Sequence, residues 1–81
     1  MSKKLPQVIE RKLGRHQADG LCWDDGTIEI DPRITGKRRL ETLIHEFLHY
    51  RHPHWTEEYV TKEGEIMAEF LWRHARADLR K

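Results

Sequence analysis

From Lys37 to Tyr50, apolar residues fall at Leu40, Leu43, Ile44, Phe47 and Leu48, the spacing of one helical face. Asp31-Pro32 and Thr35-Gly36 mark the start of that helix. The Pro53 region stops it, because the residue before a proline avoids the helical basin. Thr56 is then a natural N-cap, with Glu57 and Glu58 in a first turn where the helix dipole favours negative charge. The pattern predicts a second helix from there towards Ala77, with Val60, Met67, Phe70 and Leu71 on one face. Gly64 interrupts it at a cost of about 1 kcal/mol, tolerable where a neighbouring backbone comes close. Two helices with so short a connection form an antiparallel hairpin.

The N-terminal half alternates differently. "GLCWDDGTIEIDP" reads as a β-hairpin: Leu21 to Trp23, a turn at Asp24-Asp25-Gly26, then Thr27 to Asp31 with Ile28 and Ile30 inward. Gln7 to Leu13 fits either a strand or a short helix. A strand is expected, since a lone hairpin is a poor sheet on which to pack helices. The predicted fold is α+β: a small antiparallel or mixed sheet of about three strands, followed by the two-helix hairpin. One domain is expected over 1–81, with a β-rich segment at 7–31 and helices at 37–50 and 56–77.

Composition adds a difficulty and a clue. A chain of 81 residues builds a core worth only a few kcal/mol and commonly needs a staple. Cys22 is the single cysteine, so no intramolecular disulfide supplies it; the residue reads as a small apolar strand position. Six histidines, four of them between His45 and His54, point instead to a metal. Formal net charge is +1, with 15 basic and 14 acidic residues well mixed, which argues against nucleic acid as a partner. No segment reads as a signal peptide or a membrane span, so an intracellular, cytoplasmic protein is expected.

The chemistry concentrates in His45-Glu46-Phe47-Leu48-His49. Residues four apart on a helix stand one turn above each other, roughly 6 Å apart, so two imidazoles can grip one ion. Glu46 sits about 100° round the helix from His45, where it can flank the ion without binding it. From there it can take a proton from a water that zinc has acidified. Chance alone produces this pattern in about one such sequence in twenty, so its context matters. Here it lies in a helix predicted on other grounds, with both histidines turned away from the apolar face.

The segment "ETLIHEFLH", after a strand such as "TIEID", resembles the active-site helix of the zincin metallopeptidases. The wider pattern, from about Gly20 to Arg73, is similar to very small metallopeptidases encoded by phages and bacteria. The resemblance implies a zinc-dependent (Zn2+) peptide hydrolase with His45 and His49 as ligands and Glu46 as general base and acid. It also implies an edge strand beside the cleft that pairs with an extended peptide, here Thr27 to Asp31.

The third ligand stays open. A related zincin pattern places a third histidine six residues after the second, which here is Trp55, so His54 departs from it by one. Glu57 and Glu58 open the second helix level with His49. In the small phage-type sequences a glutamate recurs just ahead of the valine matching Val60, which favours Glu57, with His54 and Glu58 as alternatives. Glu63 and Glu65 stand deeper in the helix, and Glu63 falls on its apolar stripe.

Other residues are read as packing. His16 is expected in a loop, His74 on the buried stripe of the second helix, Trp23 and Trp72 in or at the core, and Tyr50 in a partly exposed contact. Trp55 is expected to wall the cleft. So small a domain leaves little surface for a substrate, so a protein partner, a homodimer or a very exposed peptide is expected to complete it. Two other readings compete: a structural-zinc domain without catalysis, and a small helical interaction or nucleic-acid-binding regulator. The last rests on Lys37-Arg38-Arg39 and Arg73-His74-Ala75-Arg76.

Overall fold

Ile28, Glu29 and Ile30 form the central strand, and all three are buried. A computed structural model describes residues 5–14 and 18–79, with side chains as far as 75. The strands are β1 (Val8–Glu10), β2 (Gly20–Cys22) and β3 (Ile28–Ile30), followed by the helices α1 (Gly36–Arg51) and α2 (Glu57–Leu79). The fold is therefore α+β, a three-stranded mixed sheet and then two helices, as the sequence pattern predicts. His16 lies outside the described residues.

The hairpin forms where expected. Trp23 N–H donates to Thr27 O at 2.8 Å and Gly26 N–H to Trp23 O at 2.9 Å. Gly26 takes φ 89°, a left-handed conformation in which a side chain is strained. A Cβ there would also lie 2.8 Å from the Tyr50 ring, so the turn and α1 fit together only through glycine. β2 runs antiparallel to β3, while β1 lies parallel to it on the other side.

That sheet order, β1-β3-β2, corrects one expectation. Thr27 to Asp31 is not an edge: β3 is flanked on both sides, and β2 is the edge nearest α1. Hairpin chemistry is local, whereas the parallel docking of β1 joins residues 20 apart, and the loop after β1 gives no local sign of it. Asp31 anchors that loop. Its carboxylate accepts the buried Leu13 N–H at 2.9 Å and the Arg33 N–H and Nε–H, each at 2.9 Å.

The order of layers is sheet, α1, α2. α1 touches β2, β3 and α2, whereas α2 packs on α1 and on no strand. Among the described residues, Leu13, Ile28, Ile30, Ile34, Leu48, Val60 and Ala68 make the core. Gly64 is buried where α1 passes: a Cβ there would lie 3.8 Å from His45 Cα. Thr56 caps α2 as predicted, its Oγ1 accepting the Tyr59 N–H at 3.1 Å.

Several large apolar residues are not where the periodicity put them. Phe47, Met67, Phe70 and Leu71 are exposed, as are Trp23 and His74. The buried stripe of α2 is instead Val60, Gly64 and Ala68. A helix that packs on one neighbour buries a narrow arc, and small residues there let the two backbones approach.

Candidate metal centre

His45 and His49 sit on the side of α1 that meets the start of α2. Their rings stand 4.8 Å apart, centroid to centroid, at an interplanar angle of 71°. The two Nε2 atoms converge to 3.2 Å. The chain then reverses over five residues: His52 N–H caps α1 on Leu48 O at 2.8 Å, and Trp55 N–H bonds His52 O at 3.0 Å. This turn delivers Glu57, the first residue of α2, directly across from both imidazoles. Its Oε2 lies 2.9 Å from His45 Nε2, and its Oε1 2.7 Å from His49 Nε2.

These three side chains form a group whose donor atoms all lie within 4.8 Å of one another. A tetrahedral zinc with bonds of about 2.0–2.1 Å spaces its ligand atoms about 3.3 Å apart. The 3.2 Å between the two Nε2 atoms is close to that spacing, whereas the 2.9 and 2.7 Å contacts to the two oxygens of Glu57 are shorter, at hydrogen-bond length. Two neutral imidazoles and a carboxylate are also a donor set that catalytic zinc uses. With Nε2 protonated on each ring, the same carboxylate accepts from both, so the group holds together with or without an ion.

Glu46 lies beside the group and outside it. It is 9 % exposed, lodged between α1 and β2, where a Cβ on Gly20 would come within 3.1 Å of its Cγ. The same Cβ would meet Thr42 Cγ2 at 2.7 Å, so only glycine lets β2 approach α1 this closely. Burial pushes the Glu46 carboxyl up from its ordinary value; the nearby His45 and His49 pull it back in part, and Glu57 adds to the rise. A carboxyl tuned upward is suited to taking and returning a proton near neutral pH.

Two grooves meet here. One, of about 320 Å³, runs between β2, α1 and α2 past Thr42, Thr61 and Glu65. The other, of about 680 Å³, passes Cys22, Trp23, Tyr50 and Pro53. Gly20, His45, Glu46 and Glu57 line both. Cys22 is half-buried on β2; burial first, then the charge of Glu46, raises its thiol pKa, which keeps the sulfur protonated.

The remaining candidates lie elsewhere. His54 and Glu58 are exposed and stand outside the three-residue group. Trp55 does not wall either groove; it stacks on His52 at 3.9 Å and 8°, with Tyr59 edge-on at 4.7 Å. Gly20 and Thr42 drew no attention in the sequence, because a close approach between a strand and a helix leaves no local pattern.

Searches against protein-family models, curated proteins and solved structures find no match to this chain.

Proposed function

We propose that this protein is a minimal zinc-dependent hydrolase of the zincin type, acting on a peptide bond. The observation that carries the reading is the convergence of His45 Nε2, His49 Nε2 and the Glu57 carboxylate, with Glu46 buried alongside. Those three side chains would hold the ion, and the donor set fits it. Zinc bound there would supply Lewis acidity, which polarises a carbonyl and lowers the pKa of a water towards about 7.

The chain's own residues supply the rest. Glu46 takes a proton from the attacking water and hands it to the amine nitrogen that leaves. Its burial against Gly20 holds it in place on the wall of both grooves. β2 offers a rail for the substrate. Asp19 O accepts from Asp31 N–H and Trp23 N–H donates to Thr27 O, so residues 19, 21 and 23 bond towards β3. Gly20 and Cys22 therefore turn their N–H and C=O groups to the open edge, where an extended peptide can pair beside the grooves.

Among the described residues, Lys37, Arg38 and Arg39 are each paired within the chain, which does not favour a nucleic-acid surface there. Arg38 is bonded to Asp19 at 2.6 Å, Arg39 to Glu10 at 2.9 Å, and both Lys37 and Arg73 to Glu69. A backbone-binding patch would leave such charges free for phosphates.

The test is hydrolysis of a degenerate peptide library by zinc-loaded protein beside Glu46→Gln. Cleavage should fall by about 10²–10⁴-fold in the variant while its zinc content stays unchanged. Equal cleavage by both proteins, or none by either at matched zinc loading, would rule the reading out.

A further inference from the structure

α2 is covered on one side only. Its buried positions, Val60, Gly64 and Ala68, span about 80° of the helix circumference. On the far side Tyr59, Ile66 and Phe70 are 45 %, 57 % and 62 % exposed, and they fall within about 40° of one another. With Met67 and Leu71, which are 39 % and 37 % exposed, the apolar surface of α2 spans about 140°, and this stripe is its most exposed part.

The seam has a direction. Positions 59, 63, 66, 70 and 73 alternate four and three apart, the spacing of a coiled-coil interface, so Glu63 falls within the stripe and Arg73 extends it beyond Phe70. Turned end for end about a dyad level with Ala68, positions 63, 66, 70 and 73 match themselves. Ile66 then falls beside Phe70 of a second copy, and Glu63 beside its Arg73. A parallel pairing would set Glu63 on Glu63 and Arg73 on Arg73. Glu69, which meets its own counterpart near the dyad, is already neutralised by Lys37 and Arg73. Arg73 itself is 71 % exposed, with its Nε on Glu69, which leaves its terminal nitrogens for a second carboxylate.

We propose that α2 docks antiparallel on α2 of a second copy of this chain, forming a two-fold homodimer through Ile66, Phe70 and the Glu63–Arg73 pairs. Two further observations fit this occupant. Among the described residues the largest fully buried side chains are Leu13, Ile28, Ile30 and Val60, a small core to which an apolar seam adds. Glu57 lies about 160° round α2 from the seam, so both metal centres stay open in the dimer. The proposal does not depend on the zinc reading.

Sedimentation equilibrium of the full chain, from about 1 to 500 µM, tests it. The expected result is a reversible monomer–dimer equilibrium in which Ile66→Glu or Phe70→Glu weakens association by about 30-fold or more. Both positions are exposed in the monomer, so the far-UV circular dichroism of each variant should match the parent. Glu63→Arg should also weaken the dimer, and adding Arg73→Glu should restore it. A chain monomeric throughout, its face left to some other protein, overturns the proposal. So does a dimer indifferent to Phe70→Glu, or a charge swap that fails to rescue.

Discussion

Glu57 and Glu58 are the same residue type, one position apart, in the same first turn of α2. Only Glu57 reaches the two imidazoles, because successive helical residues point about 100° apart. Removing its charge should therefore cost zinc affinity well beyond the 10–100-fold typical of an outer-shell partner. Glu58→Gln should leave affinity within about threefold, since a screened surface charge is worth little. Competition with a chromophoric chelator measures both, and equal losses would mean that long-range charge, not ligation, sets the affinity. His45, Glu46 and His49 were legible from sequence because their relations are fixed within one helix. The sequence favours Glu57 over His54 and Glu58 without fixing it, since its approach depends on the reversal at 52–56, whose geometry no residue spacing encodes.

The elements meet through glycines, and two of them should respond in opposite ways. Gly20→Ala places a Cβ 2.7 Å from Thr42 Cγ2, so β2 or α1 must move. Overpacking of this kind costs about 1–3 kcal/mol and displaces Glu46, so both melting temperature and turnover should fall. Gly64→Ala instead meets nothing closer than 3.8 Å, an ordinary contact, and gains helix propensity. It should stabilise by about 0.5–1 kcal/mol, a rise of a few degrees in calorimetry. A destabilised Gly64→Ala would mean that the two helices pack more tightly there than these distances allow. The hairpin and both helices followed from periodicity, caps and turn residues. The inward face of α2 did not, because apolar periodicity selects large residues such as Met67 and Phe70. The contact actually made needs small ones, Gly64 and Ala68, and leaves the large ones on the outside.

In the whole molecule, a small core is secured by a few tethers. Asp31 holds the loop around Leu13, and the Arg33 side chain bonded to it, followed by the Leu13 and Arg33 N–H groups, keeps its carboxyl well below the usual carboxylate range. A carboxyl depressed in the folded state stabilises fully above its unfolded value of about 3.9, and that contribution is lost as pH falls below it. Urea unfolding of the metal-free chain should show stability declining below about pH 4. Asp31→Asn should be less stable at pH 7 and should flatten that decline, whereas an unchanged slope would assign the acid response to other groups. The second tether, on the zinc reading proposed above, would be the metal, which would bear on fold and function together. Zinc at 1,000 times its dissociation constant would add about 4 kcal/mol, comparable to the whole core of so short a chain. The most direct measurement is elemental analysis of tag-free protein purified without chelator, beside His45→Ala, with thermal melts before and after zinc addition. Close to one zinc per chain is expected, lost in the variant, with a melting temperature that rises with zinc in the parent alone. Protein that holds no metal and melts identically with and without zinc would contradict it.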